Sequence, residues 1–375
     1  MVDKKIMSYN FISSQEVTWS RLVKISKSGN ISNAYLFSGA TGSGKEGLAL
    51  MFAQLLNCNN SKSEICFQCD SCIRFKNLQH EKLNIIIPLP TSTKTHKDDY
   101  NNLITNEYIE AINKKSLDPF YKIKIPKSKR ILIQSIRHLK KKIYLDPIDR
   151  GRNIIVIFDS ELLCEGQGES GNALLKILEE PPEKTTIILV SDYKNMLFET
   201  IISRCQSVDI PPLQDKYILK WLINKKVENA ELLVSLCRGD MHKAKSLSSQ
   251  PTVKIVDTIE KLLNTFIQNN SEQWRSFTDY YSRLCTKDIK EFEYHINLIS
   301  IWFMGANRQR QGLNSGFDNT KLFNQIVSFN ETYPKANIYA IILCLEDVLR
   351  SVSQNLYMPL ILLNMILDIK KNLDE

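Results

Sequence analysis

Residues 39–46 read GATGSGKE, and seven of the eight positions fit the phosphate-cradling pattern G-x-x-x-x-G-K-[ST]. Gly39, Gly42 and Gly44 make a loop whose backbone N–H groups can face an anion, and Lys45 can reach terminal phosphates. The last position, which would offer a hydroxyl to Mg²⁺, is Glu46. A carboxylate there brings negative charge toward a polyphosphate, and it weighs against hydrolysis more than against binding. The plain alternative is a glycine turn kept only for its shape.

Three other constellations carry chemistry. The apolar run IIVIFD (154–159) ends in Asp159, a placement that beside a phosphate loop organises Mg²⁺ and its waters. A hydrolase would follow it with a glutamate; here Ser160 follows, and Glu161 comes one place later, where its side chain is expected to point elsewhere. Cys58, Cys66, Cys69 and Cys72, with two tight C-x-x-C steps, suit tetrahedral Zn²⁺ in a closed structural site. Arg204, in SRCQ (203–206), is an ordinary surface charge unless it meets another subunit's nucleotide, where an arginine supplied in trans stabilises phosphoryl transfer.

The elements that must position these residues alternate. AYLFSG (34–39), LNIIIPLP (83–90), RNIIVIFDSE (152–161) and TTIILVSD (185–192) read as strands, and 45–58 and 171–182 as helices, the pattern of a parallel α/β sheet. Residues 91–125 form a polar insertion with no clear place in the sheet, partly helical around 101–115. Residues 214–248 read as short helices and 252–375 as an all-helical region. The expected division is a core at 1–211, a helical lid at 212–250 and a helical domain at 251–375.

Of the 375 residues, 43% are apolar and 24% charged, ordinary for a soluble protein. No signal peptide is expected, and the run LYMPLILLNMILDI is too short and interrupted to span a bilayer; no membrane partner and a cytoplasmic location are expected. Much of the net charge of +8 lies in KIKIPKSKR (122–130) and RHLKKK (137–142), either a solvated lysine-rich face or a nucleic-acid footprint.

AYLFSGATGSGK, the four-cysteine module, GNALLKILEEPP and TIISRCQ, in this order, resemble the bacterial DNA polymerase III clamp-loader subunits of the AAA+ class over roughly residues 15–250. The resemblance implies an AAA+ P-loop NTPase-like parallel sheet domain, a small helical lid and an all-α C-terminal collar. It implies a hetero-pentamer that loads the beta sliding clamp onto primed DNA. That ring contains gamma/tau motors that hydrolyse ATP, a delta subunit that opens the clamp, and a stator, delta prime, with a degraded nucleotide site. Carried over, Arg204 takes the trans-arginine role and the four cysteines the zinc role. The chain departs from the motors at Glu46, at Ser160 and at His242, which stands where motors carry an ATP-sensing lid arginine. Three losses beside an intact SRC point to the stator type, without intrinsic ATPase or polymerase activity. Lys45 and Asp159 survive, which leaves nucleotide binding an open question. The competing readings are a gamma/tau motor using Glu46 as an unusual Mg²⁺ ligand, and a stand-alone zinc protein binding nucleic acid through 122–142.

Overall fold

Runs of apolar residues with no polar interruption must be covered on both faces, and that is what sets the sheet here. The computed structural model describes residues 12–90, 106–145, 151–228, 230–249, 252–317, 321–352 and 356–374. Helix α1 (Glu16–Ser28) leads into β1 (Ala34–Gly39), and the glycine loop joins β1 to α2 (Lys45–Leu56). The cysteine segment and α3 (Asp70–Lys76) are followed by β2 (Leu83–Ile86) and β3 (Leu89–Pro90). Then come α4 (Asn106–Leu117), β4 (Ser128–Arg130), α5 (Ile133–Leu145) and β5 (Asn153–Ile157). Helix α6 (Glu169–Glu179), β6 (Thr185–Ser191), α7 (Glu199–Ile202) and β7 (Gln206–Ile210) complete the series.

Five of these strands form one parallel sheet in the order β2-β5-β6-β1-β7. The pleat sends Phe37, Ile154, Val156, Ile188 and Val190 to one face, against Leu48 and Phe52 of α2. Leu36, Ile155, Ile157, Ile187 and Leu189 face the other way, against Ile136 and Leu139 of α5 and Leu174 and Ile177 of α6. Because β1 sits inside the sheet, its C-terminal end opens the crevice where open α/β sheets bind ligands, and the glycine loop leaves from there.

The stretch 83–90 is not one strand. β2 joins the sheet, the ladder stops before Pro88, and β3 turns away to pair antiparallel with β4. Part of the expected 91–125 insertion, residues 91–105, lies outside the described residues; the rest contains α4 and returns to the glycine loop.

The chain forms two units, Met1–Tyr217 with Gly239–His242, and Ile218–Arg238 with Lys243–Glu375. After the sheet come the short helices α8 (Asp215–Asn224), α9 (Ala230–Cys237) and α10 (Met241–Ser248). Long helices follow: α11 (Thr252–Ile267), α12 (Ser271–Lys287), α13 (Ile289–Arg310), α14 (Lys321–Thr332), α15 (Ile338–Ser351) and α16 (Met358–Asp374). Trp302 of α13 is fully buried in this second unit and meets Phe303 and Phe329 edge-on, a cluster that fixes α13 against α14. No described helix is long and apolar enough to cross a membrane.

Candidate functional site

The loop keeps its shape for local reasons. Gly42 (φ 72°) and Gly44 (φ 87°) lie in the left-handed region, with Gly44 capping α2. A Cβ on Gly42 would run into the Asp240 carboxylate, so this position has no room for a side chain. Gly39 ends β1, where a Cβ would strike the Ile210 carbonyl. Lys45 does not point into open solvent: it is buried, ion-pairs with Asp192 at the end of β6, and donates to the Ala40 carbonyl at 3.0 Å.

Glu46, on the first turn of α2, is buried against two lysines from the segment that sequence reading left without a place. Lys115, at the end of α4, ion-pairs with one Glu46 oxygen and donates to the Pro119 and Tyr121 carbonyls at 3.0 and 2.6 Å. Its three donors are thereby matched to three acceptors in a site where its side chain is only 1% exposed. Lys122 reaches the other Glu46 oxygen at 3.0 Å, ion-pairs with Asp159 and lies 3.4 Å from Asp192. Three ammonium groups (Lys45, Lys115, Lys122) thus meet three carboxylates (Glu46, Asp159, Asp192) at the mouth of the phosphate loop. The cleft left among Thr41, Gly44, Glu46, Lys115, Lys122 and His242 measures about 10 Å³, room for about one water.

Electrostatics follow this geometry. Burial pushes the Glu46 carboxyl up, but Lys115 and Lys122 more than offset it and hold the pKa at about 2. Burial works against the charge on Lys122 too, and Glu46, Asp159 and Asp192 outweigh it and raise its pKa. At Asp159 burial wins and the pKa rises despite Lys122; at Asp192, Lys122 and Lys45 overcome burial and lower it.

Glu161 corrects the sequence reading. Asp159 adopts a left-handed backbone (φ 49°), and the tight 3₁₀ turn Ser160–Leu163 follows. That break in strand geometry turns Glu161 back inward, so its carboxylate gathers with those of Asp159 and Asp192, with ligand atoms within 4.8 Å of one another. Burial raises the Glu161 pKa, and one of its oxygens is buried without a hydrogen-bond partner. Ser160 is fully buried and donates to the Val190 carbonyl at 3.1 Å, a packing role rather than a catalytic one.

The four cysteines converge as their spacing suggested. Cys58, Cys66, Cys69 and Cys72 bring their sulfurs within 4.8 Å of one another, and the Cys66–Cys72 pair is 3.8 Å apart. A tetrahedron of thiolates about 2.3 Å from a Zn²⁺ has edges of about 3.8 Å, so the arrangement fits that ion. The Cys69 and Cys72 amides donate to the Cys66 and Cys69 sulfurs at 3.3 and 3.4 Å, orienting both as acceptor-rich ligands. Cys69 also caps α3, which fixes the knuckle's second half.

Arg204 lies apart from this centre. It follows α7, donates to the Thr200 carbonyl at 2.9 Å and pairs with Glu179 at the end of α6 at 2.8 Å. Both members of the pair are partly exposed, so it is worth little and can be exchanged for a stronger anion. His242 lines the loop cleft, and its backbone amide donates to Asp240 at 2.8 Å.

The cluster sets a pH dependence. Glu46 titrates at about 2 when folded against an ordinary 4.5, so its contribution is fully present above 4.5 and fades as pH falls toward 2. The difference amounts to about 3 kcal/mol. Glu46→Gln, which strands a buried ammonium, is expected to lower stability near neutral pH by about 3–5 kcal/mol and to flatten the acid limb of the profile. Urea unfolding followed from about pH 7 down to about pH 3 checks both; an unchanged midpoint contradicts the pairing.

The family described as "DNA polymerase III, delta subunit" matches residues 14–214. The delta′ subunit of Bacillus subtilis DNA polymerase III is 29% identical over 197 residues, 52% of this chain and 47% of that protein. The delta′ subunit of Haemophilus influenzae is 25% identical over 252 residues, 67% of this chain and 61% of that protein. The tau subunit of B. subtilis is 27% identical over 229 residues, 58% of this chain and 33% of that protein. The chain spans about half the length of the first of these relatives and less than two thirds of the others. The matched region carries the sheet, the glycine loop, the cysteine knuckle and Arg204, and it covers more than half of the sequence: the chain belongs to the DNA polymerase III delta-subunit family.

Proposed function

We propose that this protein is the stator of a DNA polymerase III clamp loader, the delta prime type, and that it contributes to a neighbour's ATP site rather than running its own. The observation that carries the reading is the ion cluster. Glu46 does not stand free as a Mg²⁺ ligand, because Lys115 and Lys122 already occupy it. This favours a stator over a gamma/tau motor, a choice that similarity to both delta′ and tau relatives leaves open. Arg204, by contrast, stays partly exposed and loosely paired, as a residue offered to another chain must be. In this reading the partners are the delta and gamma/tau subunits in a hetero-pentamer, the beta sliding clamp and primed DNA, in the cytoplasm. Residues 212–250 serve as the lid and 251–375 as the collar.

In the neighbouring site the Arg204 guanidinium would replace Glu179 with the transferring phosphate, whose equatorial oxygens gain charge in the transition state. Within this chain, Cys58, Cys66, Cys69 and Cys72 would hold one structural Zn²⁺, which would tie the loop after α2 to α3.

Two measurements test the proposal. Arg204→Ala is expected to assemble with the cognate delta and motor subunits as the wild type does, while ATP turnover at the adjoining site falls by orders of magnitude; an unaffected rate in the reconstituted complex refutes the role. Metal analysis of the purified chain is expected to find about one Zn²⁺ per molecule, lost in Cys69→Ser together with thermal stability. A chain without zinc, indifferent to chelator, removes the metal from the account.

A further inference from the structure

The glycine loop, Asp159 and the parallel sheet together imply a Mg²⁺–nucleotide, and the residues present do not fit one. Lys45, the group that would reach terminal phosphates, is held by Asp192 and the Ala40 carbonyl. Asp159 and Asp192, just past the ends of β5 and β6, already share the ammonium of Lys122. Glu46 lies between Lys115 and Lys122, and the remaining cleft of about 10 Å³ admits a water.

We infer that Lys122 is a built-in replacement for the divalent cation, and that the segment carrying Lys115 and Lys122 permanently occupies this chain's own phosphate site. This rests on the non-hydrolysing reading and adds a cause to it. One cationic atom faces carboxylates from the ends of β5 and β6 and from the first turn of α2, and two of these, Asp159 and Asp192, belong to the carboxylate group that could hold a metal. A tethered ammonium differs from a metal in three ways. It carries one charge rather than two, it cannot be removed by a chelator, and its local concentration is set by the chain. It neutralises the carboxylates without offering coordination positions to a phosphate or a water. The N-terminus of α2 is therefore held in one arrangement regardless of nucleotide, which suits a rigid member of a moving assembly.

Without Lys122, Asp159 loses its ammonium partner and Asp192 keeps only Lys45; these two carboxylates lie with that of Glu161, ligand atoms within 4.8 Å of one another, and Glu161 already has a buried oxygen without a partner. Such a group takes a divalent ion.

Mn²⁺ binding followed by electron paramagnetic resonance on the full chain provides the test, with Lys122→Ala and the double variant Lys122→Ala/Asp159→Asn. Lys122→Ala is expected to bind Mn²⁺ roughly tenfold or more tighter than the wild type, and the double variant to lose that gain. A folded Lys122→Ala with no gain, or a wild type that binds as tightly, overturns the inference. Should the variant not fold, acetylation of the wild type decides. Lys122 should react roughly tenfold or more slowly than exposed Lys124, with no change on adding Mg²⁺ and ATP. Equal reactivity, or exposure of Lys122 by the nucleotide, contradicts the proposal. Wild-type ATP hydrolysis would instead defeat the stator reading itself. Mn²⁺ binding by an ATPase-silent wild type would defeat only the replacement.

Discussion

A carboxylate buried at the head of a helix has to be neutralised where it stands, and Glu46 is such a carboxylate. The N-terminus of α2 favours its charge, yet that partial positive end is far too weak to offset desolvation alone. Lys115 supplies the missing charge, and its own burial then requires the Pro119 and Tyr121 carbonyls. From this one pair the rest of the site follows. Folding the segment after α4 over the loop brings Lys122 to Asp159 and Asp192, and Asp192 in turn holds Lys45. What looks like a phosphate loop with one wrong letter is a closed ionic lattice in which that letter is the keystone.

The contrast with Arg204 shows how burial divides the roles of charge in one domain. The Lys115–Glu46 pair is almost fully buried, and breaking it leaves an ion without solvent. The Arg204–Glu179 pair is 37% and 50% exposed, and breaking it costs little. In the proposed role Arg204 leaves its partner to meet another subunit, which suits the second kind, whereas groups that lock a frame belong to the first. The sheet keeps the two apart by carrying Arg204 on the turn before β7 and the locked centre at the ends of β1, β5 and β6.

Much of this was legible in the chain, for physical reasons particular to each part. Strands buried on both faces announce themselves as unbroken apolar runs, as in Ile154–Ile157, and two linked C-x-x-C steps bring three sulfurs together over a short loop, where Cys58 joins them. The lysine cluster was not legible. Lys115 and Glu46 are 69 residues apart, and nothing in a basic stretch marks which lysine will be buried. In KIKIPKSKR the isoleucines turn inward while Lys124, Lys127 and Lys129 stay exposed, as a solvated face would have it, yet Lys122 turns into the site. Glu161 was misplaced because reading along a strand presumes regular alternation, and the left-handed Asp159 ends it. The one available signal was Glu46 itself: an acid inside a glycine-loop helix demands a cation from elsewhere in the chain.

The central claim is that this chain's own charges close its phosphate site, and direct titration of the purified protein with ATP and Mg²⁺ addresses it most simply. Calorimetry should record no saturable binding up to concentrations on the order of 1 mM. A stoichiometric site with micromolar affinity would mean that the lysines yield to nucleotide, and the account would be wrong.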